Sequence, residues 1–218
     1  MEKSTLEKIS LDLCLNMVSK SELLDRVVLL ENQLHSRMDE ADLLLELGIA
    51  YHHLAQQGDK SALSDCQEML QRVIERHPGH AIALAYLGSS LTLRGNLEQA
   101  IHKKLKYTRQ GIETIDKAIS LAPDNLIVRW VRAMNSLNLP SFFGRTEICL
   151  KDFDNIIHHD QFRIWPKHVQ ANIFLHAGLA WQKNEDPERA RQYLQQANNA
   201  APHAEWTNTP QADHQEQH

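Results

Sequence analysis

The chain has 218 residues, of which 42% are hydrophobic and 23% charged, and its formal net charge at pH 7 is −5. Hydrophobic content at this level can bury a continuous core, whereas a negative net charge argues against a nucleic-acid partner, which would require a basic face. The three cysteines are too widely spaced for a zinc site. The N-terminal sequence is acidic where a signal peptide needs a basic start, and no apolar run is long enough to span a membrane. We therefore expect a cytoplasmic protein with reduced thiols and no membrane partner.

Residues 1–40 have the pattern of a helical hairpin. The apolar spacing predicts a first helix with Leu6, Ile9, Leu13 and Met17 on one face. A Ser19-x-x-Glu22 capping box then predicts the start of a second helix with one apolar face. We interpret this hairpin as a degenerate capping repeat, which could either cap the array that follows or fill its groove. The apolar residues of the second helix are Leu23, Val27, Leu30 and Leu34.

From residue 41 onward, three sequence blocks share one register of a small residue on a first helix and a proline after a second helix. The glycines are Gly48, Gly88 and Gly178, and the prolines are Pro78, Pro123 and Pro202. The first-helix motifs read Leu44-x-x-Leu47-Gly48-x-x-Tyr51, Leu84-x-x-Leu87-Gly88-x-x-Leu91 and Phe174-x-x-Ala177-Gly178-x-x-Trp181. This register resembles the tetratricopeptide repeat (TPR), a helix–turn–helix unit of about 34 residues.

The resemblance implies an all-α fold, a right-handed α-solenoid of antiparallel helix pairs. Its repeats would span residues 41–78, 81–123, 126–165 and 166–202. The polar sequence of residues 203–218 predicts a disordered tail.

The second block is longer than the family pattern. After a turn expected at Gly95-Asn96, its closing residues Gly111, Ile115 and Ala118 have the right spacing but arrive late, by close to three helical turns. Because an insertion of whole turns leaves the orientation of later residues unchanged, one extended helix over residues 97–121 would keep its buried face aligned. A loop near Lys106 is the alternative. We interpret the basic run Lys103-Lys104-x-Lys106 as a solvated helix face.

The third block is irregular. Counting from Pro123 puts Ala133 in the small position, but Arg129 and Arg132 fall where apolar residues are usual. Together with Arg145, which follows an aromatic loop, these arginines could clamp a phosphate or carboxylate. We favour internal ion pairs, because buried arginines are rarely left unpaired. The candidate carboxylates on the flanking helices are Glu113, Asp116, Asp152 and Asp154.

In TPR proteins a concave groove is lined by fixed positions of the first helices. The resemblance implies a mostly apolar groove here, suited to a peptide or an amphipathic helix, with Trp130 and Met134 partly exposed at its centre. Alternatively, the apolar stripe packs against the N-terminal hairpin or against a second copy of the chain. The implied groove residues are Leu45, Ile49, His52, Ala85, Ser89, Trp130, Met134, Asn138, Leu175 and Leu179.

No catalytic motif is present, and we predict no cofactor and no metal site. Adjacent histidines such as His52-His53 point about 100° apart on a helix and cannot easily chelate one ion, so we expect the histidines at the surface. The leading interpretation is a non-enzymatic adaptor or scaffold that binds a protein or peptide. The alternatives are a small-anion site on the three arginines, which could be catalytic, and a self-associating structural subunit such as a homodimer.

Overall fold

A computed structural model of the chain describes residues 11–36 and 40–202, and within these ranges the fold is all-α. The predicted contributions of Leu6 and Ile9, and the predicted tail over residues 203–218, lie outside the described residues. In chain order the helices are α1 (Leu11–Cys14), α2 (Lys20–Ser36), α3 (Ala41–Gln56), α4 (Ala62–Arg76), α5 (Ala81–Leu97), α6 (Ile101–Leu121), α7 (Leu126–Asn138), α8 (Thr146–Ile157), α9 (Asp160–Arg163), α10 (Lys167–Lys183) and α11 (Pro187–Ala200). A 3₁₀ turn, Ser141–Phe143, lies between α7 and α8.

The chain divides into two compact units, Met1–Asp152 (the first unit) and Phe153–His218 (the second unit). The division falls inside α8. In the first unit α3 packs on α4 and α5 packs on α6, and short turns join the helices of each pair, so each pair is antiparallel. The first helices α3, α5 and α7 also pack on one another in sequence. The predicted fold class, an all-α array of helix pairs with one extended helix, is confirmed.

Glycines at the predicted small positions bring the two helices of a pair into close contact. A Cβ atom on Gly48 would lie 2.8 Å from Cγ of Leu70 on α4. A Cβ atom on Gly88 would lie 2.6 Å from the backbone oxygen of Gly111 on α6. Side chains larger than hydrogen are therefore excluded, which explains why the register of the small residue could be read from the sequence.

The extended helix of the second block is present as α6, which begins at Ile101 and has 21 residues. The prediction of a turn at Gly95-Asn96 is wrong, because α5 continues through both residues to Leu97. Gly95 serves packing instead: a Cβ atom there would lie 2.7 Å from Oγ1 of Thr108 on α6. With 21 residues α6 is longer than the second helices α4 and α11, which have 15 and 14, whereas the 17 residues of α5 are close to the 16 of α3 and equal to the 17 of α10.

The capping box at the start of α2 is present. The backbone N–H of Ser19 donates to Oε2 of Glu22 at 2.9 Å, and the backbone N–H of Glu22 donates to Oγ of Ser19 at 3.3 Å. Leu23, Val27 and Leu30 are buried, as the apolar spacing predicts. Met17, expected on the first helix, lies beyond it, since α1 ends at Cys14 in a turn.

In the second unit α10 and α11 form a helix pair. A Cβ atom on Gly178 would lie 2.8 Å from Cγ of Leu194, the same close approach as at Gly48. The side chain of Asp186 accepts a hydrogen bond from the backbone N–H of Arg189 at 3.0 Å, and Pro187 occupies the first turn of α11. This arrangement gives α11 a defined start.

Candidate functional site

The structure buries most of the predicted groove residues of the first unit. Trp130 is 4% exposed, so the expectation that it lies partly open is wrong. The physical reason is that α7 buries side chains on more than one side, with Val128 and Val131 buried as well as Trp130. Met134 is half-buried and Asn138 is exposed. The other buried groove residues are Leu45, Ile49, His52, Ala85 and Ser89.

Residues 11–18, which we call the covering segment, contact the first-helix side of α3 and α5. Leu13, Cys14 and Leu15 in this segment are each at most 1% exposed. The Tyr86 hydroxyl on α5 donates a hydrogen bond to the backbone oxygen of Cys14. Nδ2 of Asn16 donates to Oε1 of Gln56 on α3 at 3.3 Å. Of the alternatives for the apolar stripe, these contacts favour packing against the chain's own N-terminal hairpin.

The hairpin is held to α3 by polar contacts as well. On α2, Arg26 forms an ion pair with Glu46. The Tyr51 hydroxyl donates to Oε1 of Glu31 on α2 at 2.5 Å. The covering segment is therefore tethered on its C-terminal side by α2, which keeps its local concentration at α3 and α5 high.

Beneath the covering segment lies a cluster of three aromatic rings, those of His52, His53 and Tyr86. Their centroids are 5.2–5.9 Å apart in edge-to-face arrangements. Nε2 of His52 lies 2.9 Å from the Ser89 hydroxyl, and Nδ1 of His53 lies 3.1 Å from Oε1 of Gln56. Both histidines are buried, so the expectation of surface histidines is wrong for this pair.

Burial sets the charge of this cluster. It lowers the pKa of His53 to about 4 and the pKa of His52 well below the usual value, so both rings are neutral at pH 7. Burial likewise raises the pKa of the Cys14 thiol to about 12 and that of the Cys66 thiol above its usual range. A thiol with a raised pKa is a poor nucleophile, so these residues act as apolar packing groups.

The three arginines singled out in the sequence form ion pairs within the first unit. Nη1 of Arg129 lies 2.9 Å from Oδ1 of Asp152. Nε and Nη2 of Arg132 contact the two oxygens of the same carboxylate at 2.6 and 2.8 Å. Arg145 binds both oxygens of Asp116 at 2.7 and 2.8 Å.

This geometry favours internal pairing over an anion site. Asp152 is fully buried, and its two oxygens are shared by two guanidinium groups. Bidentate contacts to carboxylates occupy the donors that a phosphate would use. Of the four candidate carboxylates, Asp116 and Asp152 are the partners. Arg145 also has one buried nitrogen, Nε, without a hydrogen-bond partner among the described residues.

On α10, in the second unit, the predicted groove positions are more open than those of the first unit. Leu175 is half-buried and Leu179 is 40% exposed. The polar residues Gln182 and Lys183 continue this side of the helix and are exposed.

In the parts of the chain that the structure describes, no three His, Cys, Asp or Glu side chains lie close enough together to hold a metal ion. Over the same residues, no helix has both the length and the apolar content needed to cross a membrane.

Comparison with known proteins identifies the fold. No family model and no curated protein matches the sequence. Among solved structures, the chain is similar to TTC0263, a thermophilic TPR protein of Thermus thermophilus, with a TM-score of 0.69 and 12% identity over 88% of this chain and 90% of that one. A structure of MamA has a TM-score of 0.47 and 16% identity over 83% and 90% of the two chains. The likeness to TTC0263 shows that the fold is that of TPR proteins.

Proposed function

We propose that this chain, which has the TPR fold, is a non-enzymatic adaptor that binds an apolar segment of another protein on the first-helix side of α3 and α5. The proposal rests on the position of the covering segment, which already occupies that side as an intramolecular ligand. Its residues Leu13–Leu15 bury apolar side chains there, and its main chain receives the Tyr86 hydroxyl. An apolar stretch with a hydrogen-bonded backbone is the chemistry that peptide-binding grooves use.

In this proposal the partner competes with the covering segment. The tether through α2 gives the covering segment a high effective concentration, so a partner binds the intact chain more weakly than its contacts alone would allow. We further propose that a longer partner also contacts Met134, a half-buried side chain on α7, which packs on α5. The adaptor would therefore favour partners whose apolar segment is longer than residues 11–18.

The experiment measures binding of a fluorescent peptide with the sequence of residues 11–18 to the full chain by polarisation. The peptide should bind weakly to the wild type and more tightly to a Leu13→Ala, Leu15→Ala double variant, because the internal competitor is then weakened. A scrambled peptide is the control and should bind neither protein. If the native and scrambled peptides bind the double variant equally, the adaptor proposal for α3 and α5 is wrong.

A homodimer in which two copies exchange their covering segments would make the same contacts between chains. Light scattering separates this case from the adaptor. A single copy at all concentrations supports the intramolecular arrangement, whereas a dimer that dissociates in the Leu13→Ala, Leu15→Ala variant supports a self-associating subunit.

A further inference from the structure

The end of α5 and the start of α6 carry a local excess of positive charge. We call residues 94–109, which contain the end of α5, the connecting turn and the start of α6, the cationic tip. It holds five arginines and lysines against one glutamate, whereas the whole chain has a net charge of −5. All five cationic side chains are exposed, and the carboxylate belongs to Glu98. The five cations are Arg94, Lys103, Lys104, Lys106 and Arg109.

These cations differ from the arginines of α7, which pair with carboxylates. Within residues 11–36 and 40–202, Lys103, Lys104, Lys106 and Arg109 form no ion pair. Arg94 lies over the ring of Tyr107, 4.8 Å from its centroid, which fixes it beside the others. None of these four cations of α6 therefore takes part in an ion pair with another described residue.

The connecting turn adds two features of its own. Leu97 is 44% exposed and Ile101 is 75% exposed, and they flank the turn that joins α5 to α6. The N-cap residue of α6, Ala100, supplies no side-chain cap, and the first turn of α6 has no acidic residue. Free backbone N–H groups and the positive end of the helix dipole therefore add to the positive charge there.

We propose that the cationic tip docks on an anionic lipid surface, with Leu97 and Ile101 entering the headgroup region and the lysines and arginines contacting lipid phosphates and carboxylates. The charge complementarity is local: the tip is attracted while the rest of the chain, which is net negative, is repelled, so the molecule approaches tip first. A lipid surface accepts exposed Leu and Ile at a helical turn without a matching pocket. The expectation of no membrane partner came from the lack of an apolar span, which surface docking does not require.

The experiment is co-sedimentation of the full chain with vesicles of phosphatidylcholine containing about 30% phosphatidylserine, and with vesicles of phosphatidylcholine alone. Binding is expected only to the anionic vesicles and should weaken as salt is raised, because salt screens exposed charges. Lys103→Glu should lower the partition coefficient by at least about fivefold, since one attractive contact is lost and a repulsive one is gained. Ile101→Ser should lower it by about tenfold through loss of apolar contact.

The same helix offers matched controls. Lys117→Glu makes the same charge change on exposed surface near the other end of α6, and Leu121→Ser truncates a half-exposed apolar residue at the last position of that helix. Both controls should bind anionic vesicles like the wild type. All four substitutions are at exposed positions, and equal melting temperatures will verify that each variant is folded.

Three results would overturn the proposal. One is failure of the wild type to bind anionic vesicles, and another is an equal loss of binding in Lys117→Glu and Lys103→Glu. The third is loss in Lys103→Glu with no change in Ile101→Ser. In that case the tip recognises charge without apolar contact, and an acidic protein segment would be the better occupant.

Discussion

The hydroxyl of Tyr86 on α5 donates a hydrogen bond to the backbone oxygen of Cys14, and both residues are almost fully buried. The bond joins the covering segment to a helix that lies far along the chain from it. A buried carbonyl that loses its donor costs free energy, so this contact both orients the segment and makes its detachment unfavourable. Access to the first-helix side of α3 and α5 is consequently coupled to this hydroxyl group, together with the Asn16–Gln56 hydrogen bond and the burial of Leu13 and Leu15.

The first prediction concerns that hydroxyl. Tyr86→Phe should lower the free energy of unfolding by about 1–3 kcal/mol, because the Cys14 carbonyl is left buried without its donor. Urea denaturation gives the free energy, and hydrogen exchange should show faster exchange in residues 11–18. Tyr107→Phe is the control, since the Tyr107 hydroxyl makes no hydrogen bond among the described residues. Equal effects of the two substitutions would contradict a special role for Tyr86.

The second prediction is acid sensitivity. The pKa of His53 is about 4 in the folded chain and about 6.5 when unfolded, so between these values the unfolded state binds the extra proton. The contribution of His53 to the free energy of unfolding is therefore fully present above pH 6.5 and is lost as the pH falls. At pH 4 the loss from this residue is on the order of 3 kcal/mol. His52, whose pKa is also lowered by burial, acts in the same direction.

The test is the free energy of unfolding measured by urea at pH 7.5 and at pH 5, values that bracket the unfolded pKa of about 6.5. The difference should be smaller in His53→Gln than in the wild type, and unchanged in His77→Gln, where the histidine is exposed. An unaltered pH dependence in His53→Gln would show that this ring does not control acid unfolding and would leave His52 or the carboxylates as its cause.

The repeat register was predictable because it depends on local packing. Gly48, Gly88 and Gly178 mark close helix contacts, and an insertion of about three helical turns keeps Ile115 on the buried face of α6. The same local logic failed at Gly95. A glycine next to Asn96 is typical of a turn, but Gly95 packs against Thr108 on the following helix. This contact could be predicted only if the length of α6 were already known.

The state of the groove could not be predicted for a related reason. A register count indicates which side of a helix carries Leu45 or Ala85, but it does not indicate what covers that side. The cover is supplied by Leu13–Leu15, through a long-range contact that leaves no periodic signal. The burial of His52 and His53 follows from that cover.

The third prediction revises the role of Trp130. Since this side chain is buried, Trp130→Ala should lower the free energy of unfolding by about 3–5 kcal/mol, the range for truncating a core aromatic residue. Met134→Ala, at a half-buried position one turn further along α7, should cost less. Thermal and urea denaturation compare the two variants directly. If Trp130→Ala is as stable as the wild type, Trp130 is not a core residue and the prediction of an open groove position would be supported.

The fourth prediction separates structural arginines from an anion site. Asp152→Asn should cost about 3–5 kcal/mol, because Arg129 and Arg132 both lose a buried partner. Asp154→Asn is the control: this carboxylate is mostly exposed and, among the described residues, its one ion pair is with His158 at the surface, so the cost should be below about 1 kcal/mol.

Added phosphate should leave the melting temperature of the wild type unchanged, since Asp116 and Asp152 already occupy the guanidinium groups. A phosphate-dependent rise that disappears in Arg132→Met would instead support the small-anion alternative.

The last prediction concerns the contact that holds α5 against α6. In Gly88→Ala the new methyl group would lie 2.6 Å from the backbone oxygen of Gly111 and 2.9 Å from the backbone nitrogen of Ile115. Backbone atoms cannot rotate away, so the helices must separate, and overpacking of this kind costs about 1–3 kcal/mol or more. This loss exceeds the roughly 1 kcal/mol that alanine gains over glycine in helix propensity.

Gly79→Ala is the matched control for that substitution. Apart from the two chain neighbours, no described residue places an atom within 4 Å of a Cβ at position 79, so the variant should be as stable as the wild type or more stable by about 0.4–1 kcal/mol. Urea denaturation of both variants provides the comparison. If Gly88→Ala were as stable as Gly79→Ala, the pair α5–α6 would tolerate separation, and the close contact between Gly88 and Gly111 would not be what holds the cationic tip in place. A loss confined to Gly88→Ala means that the tip is fixed to the array by backbone contact between the two helices.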